Sequence, residues 1–367
     1  MSPSNLFEPL KIGNFGVKHR VALAPLTRFR ASHDRLPTPL MKEYYSQRAS
    51  VPGTLLITEG TFISANCGGF QNAPGIWRQD QIAAWKAITD EVHSKGSFIF
   101  NQIFAMGRAA DTRVAKLEGF PTIAPSAIPI EEGGEVPQVM TIEDITRTVR
   151  EFTNAAKNAI EAGFDGVEIH GANGYMLDQF IQDVSNQRDD VYGGSVENRS
   201  RLFIEVINSV ISAIGAERVG LRLSPFSTFQ GMRMDDPIPQ FTDIIAKASK
   251  HNLAYLSLIN SRMAGGSDYP DGDGSLDFAY ELWNGPLLVA GSYTPEEARK
   301  LVDERYPEKD IVVVFGRHFI ANPDLAFRIK RGLELNKYDR DTFYAVESPM
   351  GYVDYPFSRE FLATVPA

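Results

Sequence analysis

The 367-residue chain contains a single cysteine, Cys67. No intrachain disulfide can form, a multi-cysteine metal site is excluded, and a reducing compartment is the expected setting. The six histidines form no tight ligand cluster, so no metal is expected. No block of Lys or Arg interrupts a net charge of −9. That argues against nucleic acid or an anionic membrane as partner, since both select a basic surface, but it leaves room for one localised anion site. No apolar run approaches a membrane span, the start MSPSNLFEPLKIGNF has no apolar signal core, and the ending TVPA matches no lipidation or retrieval signal. A cytoplasmic location is the expectation. Also missing are HExxH, a P-loop, a GxGxxG after the first strand, and a nucleophile elbow around Ser224 or Ser227. Their absence removes the signatures of zinc proteases, P-loop enzymes, dinucleotide-binding sheets and acyl transfer.

What is present is an ordinary globular composition, 43% hydrophobic and 23% charged. Eight apolar, β-branched runs recur between Gly, Pro and Asn: VALAP (21–25), TLLITEG (54–60), SFIFNQI (97–103), DGVEIHG (165–171), VGLRLSP (219–225), AYLSLIN (254–260), PLLVAGS (286–292) and IVVVFGR (311–317). Their near-continuous hydrophobicity suits parallel strands covered on both faces. TPLMKEYYSQRA, DQIAAWKAITDEVHSKG, TIEDITRTVREFTNAAKNAIEAG, SVENRSRLFIEVINSVISAIG and TPEEARKLVDERY supply helical segments between them. Gly96 ends the second, and Thr141 ahead of Asp144 opens the third. Strand and helix alternating eight times predict a (β/α)8 barrel, with no second domain in 1–367. Residues 5–20, with Gly13 and Gly16, read as a hairpin closing the barrel's bottom. Segments 104–140 and 261–284, rich in Gly, Pro and Asp, read as long loops over a site.

Barrel chemistry sits at the C-terminal ends of the strands. Those ends offer Pro25 and Thr27, Glu59 and Gly60, Gln102, His170, Arg222, Asn260, Gly291, and Gly316 with Arg317. Gly291 and Gly316 follow strands seven and eight, where such barrels commonly bind phosphate, and Arg317 suits a dianion. Tight turns with a solvated arginine are the plainer reading. Arg222 should point into the barrel mouth, toward an anion or toward a salt bridge with Glu59 or Glu168. Gln102 could satisfy a buried backbone group, or pair with a ring that bears both N–H and C=O. His170, Asn173 and Tyr175 place three hydrogen-bonding side chains on one short loop. Taken singly they could be a satisfied histidine, a helix cap and a core aromatic. No strand end carries a lysine, which disfavours a Schiff-base lyase on the same barrel.

These residues sit in longer motifs: LFEPLKIGN, VALAPLTRFRA, TEGTFIS, NAPGIW, HGANGYMLDQF, SNQRDDVYGGSVENRSRLFIEV, GLRLSP, VFGRHFIANPD, NKYDRDTFY and GYVDYP. Nearly end to end, the chain resembles the Old Yellow Enzyme family of flavin-dependent ene-reductases. The His170-x-x-Asn173 spacing and Thr27 place it nearest the yeast and fungal branch. Plant oxophytodienoate reductases usually have His in place of that Asn, and a thermophilic-like class has Cys in place of that Thr. The resemblance implies a (β/α)8 barrel with bound FMN and NADPH as co-substrate. Pro25, Thr27, Gly60, Gln102, Arg222 and Phe343 would surround the flavin, and Gly291, Gly316 and Arg317 would take its phosphate. His170 and Asn173 would grip a substrate carbonyl oxygen, Tyr175 would donate a proton, and Phe104 and Tyr344 would line the substrate pocket. Phe104 departs from the yeast pattern, which has tryptophan there. The shorter loop SRMAGGSDYPDGDG leaves its substrate-facing aromatic unassigned, Tyr269 being one candidate.

The resemblance thus implies reduction of the activated C=C bond of α,β-unsaturated aldehydes and ketones, with phenols as ligands and a monomer or homodimer as the working form. Two alternatives stay open: a dedicated fungal reductase of the ergot-alkaloid type, and a flavin-binding protein that holds ligands without turnover.

Overall fold

A computed structural model describes residues 4–265, 267–268, 272–364. All eight expected runs form parallel barrel strands: Val21–Leu23, Leu55–Ile57, Phe98–Phe104, Gly166–Gly171, Val219–Leu223, Tyr255–Ile259, Leu287–Ala290 and Ile311–Phe315. Each pairs with the next, and the eighth pairs with the first through Val313–Val21 and Phe315–Leu23, so the sheet closes. The second run is interrupted at 58–60 and resumes as Thr61–Phe62; both pieces pair with the third strand. The fold is a (β/α)8 barrel.

Ala22, Leu55, Ile57, Phe100, Tyr255, Leu288, Val312 and Val314 fill one cluster together with Leu10, Ile12 and Val17. The last three belong to an antiparallel hairpin, Leu10–Ile12 with Phe15–Val17. Its turn residue Gly13 has φ +52, and a Cβ there would lie 2.0 Å from the Glu217 carbonyl oxygen. Glu217 immediately precedes the fifth strand, so the hairpin covers the N-terminal end of the barrel, as the sequence predicts.

The outer helices follow their apolar periodicity. Ile142–Glu161 starts at a capping box in which the Asp144 amide donates to Thr141 Oγ1 (3.1 Å) and the Thr141 amide donates to Asp144 Oδ2 (2.9 Å). Helix Ile238–Ala248 was not among the segments read as helical, although Phe241, Ile244, Ile245 and Ala248 are all buried on it. TPEEARKLVDERY forms a helix at Pro295–Lys300 and then widens into a π turn over Leu301–Arg305. The two long loops carry structure of their own: a helix at Thr112–Glu118, paired strands Ile123–Ala124 and Gln138–Val139, a hairpin Met263–Ala264 with Ser267–Asp268, and a helix at Asp277–Leu282.

The C-terminal segment 342–351 returns to the end of the first strand, where two fully buried arginines hold it. Arg28 Nε donates to the Phe343 carbonyl (2.9 Å) and Nη2 to that of Gly351 (2.8 Å). Arg30 donates to the carbonyls of Thr342, Phe343, Ser348 and Met350. This pairing brings Phe343 and Tyr344 to the mouth of the barrel.

Candidate active site

Strand register sets the layout. Gln102 lies beside Glu168, and Glu168 beside Gly220. His170 lies beside Arg222, and Arg222 beside Ser257. Each pair shares one level of the barrel, which gathers four strands' polar residues at one face. Gln102 Nε2 donates to Glu168 Oε1 at 2.7 Å, leaving the Gln102 carbonyl as an acceptor. Glu168 is fully buried; desolvation raises its pKa while Arg222 pulls it down. Arg222 donates from Nη1 to Ser257 Oγ at 3.0 Å. Among the described residues no ion pair within 4 Å joins Arg222 to Glu59 or Glu168, so neither salt bridge weighed from sequence forms. Glu59 lies instead near the Arg28 amide (3.4 Å), and burial raises its pKa to about 7.

The loop after the fourth strand is fixed on all sides. Asn173 (φ +57) and Gly174 (φ +73) are both left-handed, a turn that aims the next side chains back across the mouth. The Asn173 amide N–H donates to Ser224 Oγ (2.8 Å) and that of Gly174 to Asp178 Oδ2 (2.8 Å). Gln179 Nε2 donates to the Gly174 carbonyl at 2.7 Å. Tyr175 opens the short helix Met176–Ile181. Its ring meets Phe104 edge-on at 5.1 Å and His170 at 5.0 Å, and Phe104 stacks on Phe62 at 4.8 Å. His170 and Tyr175 are thus brought together with Phe104 as one wall, and the Asn173 backbone is fixed on the loop between them.

Burial, then Arg222, hold the His170 pKa well below the usual histidine value, so the ring is neutral at pH 7. Burial raises the Tyr175 pKa above its ordinary value, with Tyr344 adding to the effect. The phenol keeps its proton. Tyr344 tilts against Phe29 at 5.7 Å. Among the described residues Asn173 Oδ1 is buried without a hydrogen-bond partner; as an acceptor it would be satisfied by an N–H or O–H, not by a carbonyl oxygen.

At the opposite side of the mouth, Pro25 and Thr27 are half-buried. Gly60 and Gly291 are buried, and a Cβ on them would lie 2.9 Å from Phe104 Cε1 and 2.5 Å from Asn260 Cβ. Gly316 caps the turn that presents Arg317. Arg317 grips the Asp268 carboxylate through both Nη atoms and donates to Ser292 Oγ at 2.7 Å. Tyr269, just beyond Asp268, lies outside the described residues.

Residues 5–336 match the model of the NADH:flavin oxidoreductase / NADH oxidase family. The chain belongs to this family, as an Old Yellow Enzyme-type FMN oxidoreductase. It is 41% identical to the Old Yellow Enzyme of Pichia sp. AKU4542, with a TM-score of 0.91 over 98% of this chain and 95% of that one. It is 48% identical to the chanoclavine-I aldehyde reductase fgaOx3 of Penicillium roqueforti, covering 99% of each chain. It is 50% identical to a "probable inactive reductase easA" of Epichloe festucae var. lolii, covering 99% of this chain and 97% of that one.

The donor set fits an FMN. Arg317 and Ser292 already hold an oxyanion, the Asp268 carboxylate, in the forked geometry that a phosphate monoester requires. Gln102 offers an acceptor on the third strand and Arg222 a donor on the fifth, matching a ring edge that alternates N–H and C=O. The glycines let backbone approach where any side chain would collide.

Several supporting residues were not found from sequence. Ser224 was noticed only as a nucleophile without its elbow, yet it fixes the Asn173 backbone. Asp178 and Gln179 on one short helix, and Gln182 at its C-cap, are fully buried. Three polar residues spaced through the apolar stretch MLDQFIQ were the available signal.

Proposed function

We propose that the protein is an NADPH-dependent ene-reductase acting on α,β-unsaturated aldehydes and ketones, with chain 1–367 working as one FMN-binding barrel. The observation that carries this reading is the contact of a neutral His170 with a protonated Tyr175 at the barrel mouth, on a loop that also carries Asn173. Bound FMN would supply the hydride for the substrate's β-carbon and would itself be reduced by NADPH.

The chain's own residues do the rest. Pro25, Thr27, Gly60, Gln102, Arg222 and Phe343 would seat the ring, and Gly291, Gly316 and Arg317 its phosphate. His170 and Asn173 donate to the substrate carbonyl oxygen and draw electron density from the double bond. As negative charge develops on that oxygen, these fixed donors stabilise it without reorganising. Tyr175 gives its proton to the α-carbon, a general-acid step suited to a phenol kept protonated by burial. Phe104 and Tyr344 bound the space that the substrate occupies. Phenols would bind as ligands at the same oxygen position.

Likeness to a chanoclavine-I aldehyde reductase favours an unsaturated aldehyde, and a dedicated biosynthetic step, within this activity. Likeness to a probable inactive reductase keeps a ligand-holding role in view, but a neutral His170 in contact with a protonated Tyr175 supports turnover. NADPH oxidation by the yellow protein, measured with and without 2-cyclohexenone, tests the reading. Stimulation by the enone is expected, and NADPH consumption indifferent to enones and enals would contradict it.

A further inference from the structure

Arg108 follows the third strand and is almost fully buried, yet among the described residues none of its side-chain hydrogen bonds goes to a carboxylate. Nη1 donates to the carbonyls of Ile128 (3.3 Å) and Pro129 (3.4 Å). Nη2 donates to those of Gln230 (3.1 Å) and Gly231 (3.3 Å) and approaches Met232 Sδ at 3.4 Å. Its Nε has no partner, and burial lowers its pKa. A guanidinium taken out of water and directed at backbone carbonyls acts as a staple between two loops. Here the loops are 128–129 and 230–231.

The second loop bears on the proposed proton donor. Gln230 is itself left-handed (φ +59, ψ +37), a backbone state that a long side chain adopts only when its surroundings hold it there. Its Nε2 donates to the Asn173 carbonyl at 3.1 Å. Asn173 stands two residues before Tyr175 on the same short loop. Between those two residues, a Cβ on Gly174 would stand 2.8 Å from Gln230 Cβ and 2.9 Å from Met232 Cγ. The Arg108 backbone completes the frame by donating to Gln179 Oε1 (3.1 Å), whose Nε2 holds the Gly174 carbonyl.

We propose that Arg108 and Gln230 are positioning residues for protonation: Gln230 holds the backbone of Asn173 and Gly174, the two residues before Tyr175, and so sets the direction of the phenol, and Arg108 holds Gln230 in the strained state that this requires. The inference rests on the function proposed above. Neither residue gains or loses a proton in the step; the proton moves from Tyr175 oxygen to the substrate α-carbon.

The test uses the FMN-loaded full chain and follows flavin colour in the two half-reactions separately. Gln230→Glu keeps size but replaces the N–H donor with an acceptor. It should slow reoxidation by 2-cyclohexenone about tenfold, the rate equivalent of one ordinary hydrogen bond, and enlarge the solvent deuterium isotope effect. Reduction by NADPH should be unchanged. Gln230→Ala should behave alike. Arg108→Lys, which keeps the charge and loses the fork, should show the same one-sided slowing, up to about 10²-fold if the loop shifts by an ångström. Reoxidation at the wild-type rate, or equal slowing of both half-reactions, would overturn the positioning role while a slow Tyr175→Phe control kept the proposed function standing. A Tyr175→Phe control with normal reoxidation would overturn both.

Discussion

The Ala172 amide N–H donates to Nδ1 of His170 at 3.3 Å. That bond makes Nδ1 the acceptor, so the neutral ring carries its proton on Nε2. His170 is therefore a neutral donor whose tautomer is set by the backbone two residues on. His170→Ala should slow enone reduction roughly 10²–10³-fold and weaken phenol binding, measured by titrating the flavin spectrum. Unchanged phenol affinity would count against the carbonyl-oxygen grip.

The phosphate end gives two opposed expectations. Arg317→Ala removes the fork and should weaken FMN binding roughly 10- to 100-fold, the range for charge-assisted hydrogen bonds. Asp268→Asn removes the anion that Arg317 now grips and should tighten it. Fluorescence quenching of FMN by apoprotein reads both. A weaker Asp268→Asn complex would mean that the carboxylate supports the site instead of competing for it.

Gly60 has no room for a methyl group, because Phe104 Cε1 would stand 2.9 Å from its Cβ. Gly60→Ala must displace the Phe104 ring, which also packs on Phe62 and Tyr175. A loss of about 1–3 kcal/mol is expected from overpacking, together with altered product handedness, read by thermal melting and chiral chromatography. Wild-type behaviour on both counts would show that Phe104 yields freely.

Much of this was legible in the chain because barrel strands are buried on both faces and so spell continuous apolar runs. Their C-terminal residues, His170, Arg222 and Gly291, then fall at the mouth by topology alone. The supporting shell was not legible, since its partners lie far apart in sequence: Asn173 meets Ser224 and Gln230, and Arg108 meets residues 128–129 and 230–231. The Arg317–Asp268 pair was equally hidden, because nothing local says that a loop carboxylate will reach an arginine 49 residues on. Helix Ile238–Ala248 is masked in the sequence by Pro237 and Pro239 at its start, which break the local apolar period.

Acid should destabilise the fold through His19, at the opposite end of the barrel. Its Nε2 lies 3.1 Å from Thr54 Oγ1, the Val21 amide approaches Nδ1 at 3.4 Å, and burial drives its pKa down to about 4. For a base with a depressed folded pKa, nothing changes above the unfolded value of about 6.5. As pH falls from there toward 4, only the unfolded chain takes up the proton, and roughly 3 kcal/mol of stability is lost. Urea unfolding at pH 7 and pH 5 should show about 2 kcal/mol of that drop, and His19→Gln should flatten it. An equal drop in the variant would assign the effect to other groups.

The most direct test of the account is the pair of half-reaction rates in Tyr175→Phe. The phenol is expected to matter only when the α-carbon is protonated. Reoxidation of the reduced flavin by 2-cyclohexenone should fall by about 10²–10⁴-fold, with reduction by NADPH close to the wild-type rate. Equal rates of reoxidation in variant and wild type, or equal losses in both half-reactions, would contradict it.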